Sequence, residues 1–329
     1  MSSSLNRESI LVTGASGYIG HLTLARLVAR GFAVHATSRS GNDLGSRFET
    51  AEQQLPRSSP ADVVWHRADL LAHGVPDGLI ARIRPDVVLH FAWNVTPGQY
   101  WTSEQNHVWR SATGALARAF FAAGGRRFVG AGTCAEYDWS GGLCDELTTP
   151  LDPATLYGQA KLGAWHDVWS ASRSSSREDA TAAWGRVFWL IGGDEHPSRL
   201  VPSVARAIRS GQPALCTHGE QLRDFLHVDD VADAFVALAT SEVEGPVNIA
   251  SGRPHLVREV IEGIAARLDR RDLVRLGARP TTEPPVVTAT TIRLADEVGW
   301  RPSRTFEQTL NEVAKQWTED TGRAGLKST

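Results

Sequence analysis

Tyr157-Gly-Gln-Ala-Lys161 sets a phenol and a primary amine four residues apart, the spacing that stacks two side chains on one helix face. In a chain with four tyrosines and three lysines, chance supplies that pattern only about 0.04 times. Lys315 and Lys327 lie near the C-terminus, so Lys161 is the one lysine in the body of the chain. A phenol ordinarily titrates near pH ~10. A neighbouring ammonium would draw it down toward neutrality, where it can exchange a proton with a carbonyl oxygen. Upstream, Gly132-Thr133-Cys134-Ala135-Glu136-Tyr137 follows an apolar run. The Thr133 hydroxyl could polarise the same carbonyl. The plainer alternative for Tyr157 and Lys161 is a surface pair on a helix.

Gly14-Ala-Ser-Gly17-Tyr-Ile-Gly20 lies between the apolar run Ile10–Thr13 and a helical pattern at Leu22, Leu24, Leu27 and Val28. Glycines there let the backbone turn tightly and approach a pyrophosphate, while the following helix offers free N–H groups and a positive partial charge. The glycine spacing alone is weak, and its strand–helix context makes it strong. Gly14, Ser16, Gly17, Tyr18, Ile19 and Gly20 are thus expected at a dinucleotide. The second strand ends at Ser38-Arg39. A carboxylate at that point would suit NAD, whereas an arginine can fork onto a 2′-phosphate. NADP(H) is therefore the preferred cofactor and NAD(H) a possible one, the alternative for Arg39 being a solvated loop residue. Asp69-Leu70 follows the third strand. Its carboxylate either accepts from the adenine amino group or caps a helix.

The elements that must hold these residues alternate. Strands are expected at Phe32–Ser38, Val63–His66, Asp86–Ala92, Arg127–Ala131 and Ala183–Leu190, with a helix over 103–123. Such alternation implies an α/β fold with a Rossmann-type, doubly wound parallel sheet. Beyond it, helices are expected at Pro202–Ile208, Val228–Ala239, Val257–Leu268 and Phe306–Trp317, and a strand at Val247–Ala250. The Ser-rich stretch Ser170–Thr181 reads as a mobile connection, and Gly322–Thr329 as a frayed tail.

The chain has 329 residues, 42% apolar and 22% charged, with a net charge of −3. That balance fits a soluble globular enzyme and argues against nucleic-acid partners. No apolar run is long enough for a spanning helix, and Met1–Ser9 lacks the apolar core of a signal peptide, so a cytoplasmic location and no membrane partner are expected. Three cysteines without a CxxC pair and eleven histidines without metal spacing predict no disulfide framework and no metal. His90 reads as a packed core residue and His227 as structural.

Taken in order, the glycine motif, His90-Phe91-Ala92, the Thr133 segment, Tyr157/Lys161 and Arg223-Asp-Phe-Leu-His-Val-Asp-Asp230 resemble the extended short-chain dehydrogenases/reductases of the nucleotide-sugar epimerase/dehydratase family. The resemblance spans nearly the whole length. It implies Tyr157 as proton donor, Lys161 as its tuner and ribose holder, and Thr133 on the carbonyl oxygen. It implies Phe91, Ala92 and Trp93, with Asp69 and Leu70, at the cofactor, and Arg223 at the diphosphate of a nucleotide-linked substrate. An internal ion pair of Arg223 with Asp229 or Asp230 is the alternative. Trp93, Thr133, Cys134, Trp189 and Arg279 are read as substrate-facing. The resemblance further implies a homodimer paired through two helices. It divides the chain into an NADP-binding domain (1–190 plus about 220–250) and a smaller C-terminal substrate lobe (about 191–219 and 251–329).

Departures narrow the reaction. The dehydratases' Thr-Asp-Glu is here Thr133-Cys134-Ala135, which disfavours elimination of water. The glutamate that decarboxylating relatives carry two residues past the threonine is replaced by Ala135, with Glu136 one later. Asparagines expected near 109 and 189 are Trp109, with Asn106 three residues off, and Trp189. Trp93, Tyr100, Trp101 and Trp139 fall where they would rim the pocket and stack on a sugar, or else serve as core or dimer contacts. The expected function is NADPH-dependent reduction of a keto group on a nucleotide-activated deoxysugar, a 4-keto-6-deoxyhexose. The alternatives are an epimerase with tightly held NAD, a reductase of a non-nucleotide ketone, and a non-catalytic dinucleotide sensor.

Overall fold

The structure is a computed structural model that describes residues 7–39 and 62–319. In chain order it comprises β1 (Ser9–Thr13), α1 (Gly20–Ala29), β2 (Ala33–Ser38), β3 (Val63–Arg67), α2 (Val75–Ile83), β4 (Val87–His90), α3 (Gln105–Ala122), β5 (Arg127–Thr133) and β6 (Leu143–Cys144). Then follow α4 (Leu156–Arg173), β7 (Thr181–Val187), β8 (Trp189–Ile191), α5 (Leu200–Arg209), β9 (Ala214–Leu215), β10 (Leu222–His227) and α6 (Val228–Thr240). The chain continues through β11 (Gly245–Ile249), β12 (Pro254–Leu256), α7 (Val257–Arg267), β13 (Val274–Arg275), β14 (Val286–Ala289) and α8 (Phe306–Glu319).

Seven strands form one sheet in the order β11-β7-β5-β4-β1-β2-β3, all parallel. The apolar run of β1 explains why both faces are covered. Ile10 and Val12 enter a core with Leu24, Val231 and Phe235. Leu11, between them, enters a second core with Val88, Phe120, Phe128 and Trp184. Alternate side chains of a strand point to opposite faces, so a continuous apolar run requires helices on both. The strand order reverses between β1 and β4. In doubly wound sheets the crevice for a ligand opens at the carboxyl ends of the strands at such a point.

A second sheet, β12-β10-β14-β6 with β8 paired to β10, and a two-stranded pair, β13-β9, are built mainly from the C-terminal third. The strand expected over Ala183–Leu190 is in fact two. The first, β7, ends at Val187 within the large sheet, and β8 pairs with β10 instead. Phe188 divides them, and its side chain buries in a separate cluster with Tyr137 and Cys144. The expected connection over Ser170–Thr181 is shorter than its serines suggest. The last turn of α4 includes Ser170–Arg173, and Thr181 already belongs to β7. Arg173 fastens that end by donating to Glu244 at 2.5 Å. Gly322–Thr329 lie outside the described residues. No described helix is long and apolar enough to cross a membrane.

Candidate active site

The turn after β1 is tight for steric reasons. Gly14 has φ +65°, and a Cβ there would sit 2.6 Å from the Ala92 nitrogen and 2.8 Å from the Phe91 carbonyl carbon. A Cβ on Gly20 would sit 2.2 Å from the Gly14 carbonyl oxygen. The turn therefore packs against the chain leaving β4 and against the first turn of α1. Helix α1 begins without a side-chain cap and without an acidic residue in its first turn. Its N–H groups and positive end remain available to an anion. Ser16, Tyr18 and Ile19 are half-buried around this turn and Gly17 is exposed. Phe91 turns its ring edge-on to Phe235, 4.9 Å away, so its side chain packs the core while its backbone meets Gly14. These features fit a dinucleotide pyrophosphate.

Along the lip, Ser38 is buried and Arg39 is exposed. Arg67, at the end of β3, donates through Nε to the Arg39 carbonyl at 3.3 Å, which brings a second guanidinium to the same edge. Asp69 is exposed and accepts from the Leu71 nitrogen at 3.1 Å, and Leu70 is buried. Asp69 caps no helix, because α2 starts at Val75 with Gly74 at its N-cap.

Deeper in, Thr133, Tyr157 and Lys161 converge. Thr133 ends β5, and Thr155 caps α4 by accepting from the Gly158 nitrogen at 3.1 Å. A Cβ on Gly158 would lie 2.2 Å from the Ala135 carbonyl oxygen, so the absent side chain lets α4 press onto the Thr133 turn. Tyr157 consequently lies beside the Thr133 side chain. The Tyr157 nitrogen donates to the Trp101 carbonyl at 3.1 Å. Around the phenol stand Tyr100, Trp101 and Trp93, with ring centroids 4.8, 5.7 and 6.4 Å away, each close to edge-on. Burial pushes the Tyr157 phenol well above its usual range, only partly opposed by the Thr133 side chain. Lys161 lies one turn further along α4. The ammonium donates to the Ala131 carbonyl at 2.7 Å and sits 4.0 Å over the Trp93 ring, occupied on the sheet side of the helix. Burial lowers Lys161 itself to about 7, against the pull of Glu136.

Trp93 is held by Asn106, whose Oδ1 accepts from its indole N–H at 2.9 Å. The Asn106 amide donates to the carbonyls of Tyr100 at 2.7 Å and Ser103 at 2.9 Å. One buried asparagine thereby fixes the aromatic collar. Trp109 is buried and stacks on Trp93 at 6.3 Å, so it supports the collar from behind. His90 is buried between Thr13 (2.7 Å) and Thr113 (2.9 Å). Thr113 donates to the Trp109 carbonyl, so its oxygen accepts from His90 Nε2–H, and Nδ1 accepts from Thr13. Burial, with Lys161 nearby, lowers this imidazole to about 3.

A second group lies toward the smaller sheet. Arg223 is buried with its guanidinium 4.8 Å over Trp189. It donates to Glu283 at 3.1 Å and the Pro284 carbonyl at 2.8 Å. The alternative pairing with Asp229 or Asp230 is overturned. Asp229 accepts from Arg26 at 2.7 Å, and Asp230 from Arg304 at 2.8 Å. The Arg223 Nε is buried without a partner. Trp189 also faces Trp139 at 6.2 Å, and Trp139 donates to the Cys134 carbonyl at 2.7 Å. Cys134 is buried, and the charges of Arg223 and Glu136 both reach it. It joins the Thr133 group to the Arg223 group. Arg279 is not brought in by any hydrogen bond of its side chain among the described residues. It is exposed, and its backbone N–H donates to the Cys216 carbonyl at 3.0 Å.

Sequence reading did not single out Arg67, Arg199 or Glu283. Arg199 and Glu283 both act electrostatically on Tyr100, whose burial raises it to about 12. Nothing in their local sequence marks them, because they come from segments remote from Tyr157.

The NAD-dependent epimerase/dehydratase family matches residues 10–250. A UDP-glucose 4-epimerase of Streptomyces lividans is 26% identical over 317 residues, covering 89% of this chain and 91% of that protein. One of Rhizobium meliloti (strain 1021) is 24% identical over 352 residues, with 98% and 100% covered. Among solved structures, MoeE5 in complex with UDP-glucose and NAD aligns with a TM-score of 0.76 and 25% identity, covering 95% of this chain and 99% of that one. A UDP-N-acetylglucosamine 4-epimerase from Methanobrevibacter ruminantium M1 aligns with a TM-score of 0.78 at 21% identity, covering 96% and 99%. With its glycine turn at the switch point and its Thr133, Tyr157 and Lys161 gathered beside it, this chain belongs to the NAD-dependent epimerase/dehydratase family of extended short-chain dehydrogenases/reductases.

Proposed function

We propose that the protein reduces a keto group on a nucleotide-activated deoxysugar, a 4-keto-6-deoxyhexose, with NADPH as hydride donor. The observation that carries this reading is the lip beyond β2. Ser38 and Arg39 stand where an NAD enzyme would present a carboxylate, and Arg67 joins Arg39 there. Guanidinium groups from two arginines on that edge would suit a 2′-phosphate. Bound at the glycine turn, the cofactor would supply the hydride. The chain's own residues do the rest. Tyr157, kept protonated by burial, donates its proton to the carbonyl oxygen, Thr133 hydrogen-bonds that oxygen, and Lys161 holds the ribose. Arg223, with an unpartnered buried Nε, is assigned to the diphosphate of the substrate, alongside Trp189. Trp93 and Cys134 are assigned to the sugar and Arg279 to the outer rim. The substrate would lie between the large sheet and the smaller C-terminal lobe, and the working unit is proposed to be a homodimer. Cys134-Ala135 after Thr133 supplies no added acid and base, which disfavours dehydration.

A second reading is favoured by the names of relatives. Several are 4-epimerases, and an epimerase would keep NAD bound and return its hydride. Titration with NADPH and NADH, together with the ultraviolet spectrum of the purified protein, separates the two. NADPH preference in a protein purified free of cofactor, followed by consumption of NADPH with a nucleotide 4-keto sugar, is the expected result. Co-purified NAD would overturn the reductase reading in favour of epimerisation.

A further inference from the structure

Beneath Thr133 lies a buried charge that the reaction just described leaves unused. Glu136 ends the short helical turn that follows β5 and is fully buried. One carboxylate oxygen accepts from the Thr133 backbone nitrogen at 2.9 Å and from the Trp184 indole at 2.9 Å. The other accepts from Arg186 Nε at 2.7 Å, in an ion pair without solvent access. Trp184 and Arg186 stand on β7, in register with Gly130 and Gly132 of β5. Those glycines are required. A Cβ on Gly130 would lie 2.1 Å from the Trp184 ring. One on Gly132 would lie 2.2 Å from the indole nitrogen and 2.6 Å from the Glu136 carboxylate. Between them, Ala131 offers the carbonyl that Lys161 holds. Thr133 and the Lys161 anchor are therefore both fixed by one strand segment, and Glu136 clasps that segment to β7.

We propose that Glu136 is a positioning residue of the reaction centre: it fixes the Thr133 backbone and, through the same strand segment, the Ala131 carbonyl to which the Lys161 ammonium donates. The inference rests on reading Thr133, Tyr157 and Lys161 as the reacting groups, and it holds for reduction and epimerisation alike. The titratable and charged groups around that ammonium are His90 on β4, Glu136 on the turn after β5 together with its partner Arg186 of β7, and Tyr157 one helical turn before it. His90 is neutral and Tyr157 is protonated, so Glu136 is the anion among them. Its charge reaches both Lys161 and Tyr157.

The chain's three lysines make a direct test possible. The full-length protein, labelled with 13C at lysine Cε, gives three signals, and Lys161→Met assigns one. The Lys161 midpoint is expected well below the ordinary lysine range. In Glu136→Gln, which keeps an acceptor for Thr133 and Trp184 but removes the charge, the protonation constant of Lys161 should fall by about tenfold or more, moving the midpoint down by about one pH unit. Should the lone amide against Arg186 prevent folding, Glu136→Gln/Arg186→Gln removes the ion pair as a unit, and because the Arg186 charge goes with it the Lys161 midpoint should still fall but by less than in Glu136→Gln. An unmoved Lys161 midpoint in either folded variant overturns the proposal. So does failure of both variants to fold, which would assign Glu136 to the fold alone. The titration uses no substrate. It can fail while keto-sugar reduction stands, and it can succeed in a protein that proves to be an epimerase.

Discussion

Tyr157 shows how a single side chain can be set by burial more strongly than by its sequence neighbour. Helical spacing puts Lys161 one turn away, yet the ammonium is taken up by the Ala131 carbonyl and the face of Trp93. The phenol is left among three aromatic rings with its proton retained. A retained proton is what an acid needs when a carbonyl oxygen gains charge. Tyr157→Phe should therefore lower turnover by about 10²–10⁴-fold and leave NADPH affinity nearly unchanged, as measured by steady-state kinetics and cofactor fluorescence titration. Retained turnover with lost binding would reverse the assignment. The tyrosine, the lysine and the threonine were legible in the sequence because their spacing and local context are short-range. The partner of Arg223 was not, since Glu283 lies 60 residues further along and only the fold decides that it, rather than Asp229 or Asp230, meets the guanidinium.

At the scale of elements, the site depends on how closely α4 approaches the end of β5. Thr155 sets where the helix starts, and Gly158 sets how near it comes. Gly158→Ala would force a methyl group into the Ala135 carbonyl. Overpacking of this kind costs about 1–3 kcal/mol, and it would separate Tyr157 from Thr133. The expected outcome is a lower urea midpoint and a fall in kcat, with cofactor affinity falling less than kcat because the glycine turn after β1 is remote from the change and only the Lys161 end of the cofactor site moves with α4. A variant with unaltered kcat would mean that the contact between Tyr157 and Thr133 is not needed for turnover. The alternation of strands and helices was readable from apolar runs and glycine stops. The break at Phe188 was not, because a continuous apolar run carries no mark of which sheet each half will join. Nor were the short strands of the second sheet, whose residues pair only with distant segments.

For the whole molecule, the question is what fastens the C-terminal helix to the large sheet's layer. Asp230, on α6, is buried and accepts from the Ser303 hydroxyl at 2.7 Å and from Arg304 Nη1 at 2.8 Å. Arg304 also donates to Glu312 of α8 at 2.8 Å. On the other side of α6, Arg26 of α1 holds Asp229 and Asp233 at 2.7 and 2.8 Å. Without Asp230 the Ser303 hydroxyl and one Arg304 N–H lose a buried acceptor while Glu312 still faces the guanidinium, so Asp230→Ala should cost about 1–3 kcal/mol. Amide exchange at Leu310 and Val313, both buried in α8, should quicken before exchange in β1 does. Uniform protection of the two regions would show that this charge cluster is not what joins them.

By itself the sequence determined the class of fold, the glycine turn after β1 and the threonine, tyrosine and lysine proposed to move a proton, because each is written in patterns a few residues long. The tertiary structure decided which of those groups carry their charge and what each one touches. Burial, not proximity along the chain, sets the protonation of Tyr157, Lys161 and His90. The partners of Glu136, Arg223 and Asp230 come from strands and loops that only folding brings within hydrogen-bond reach.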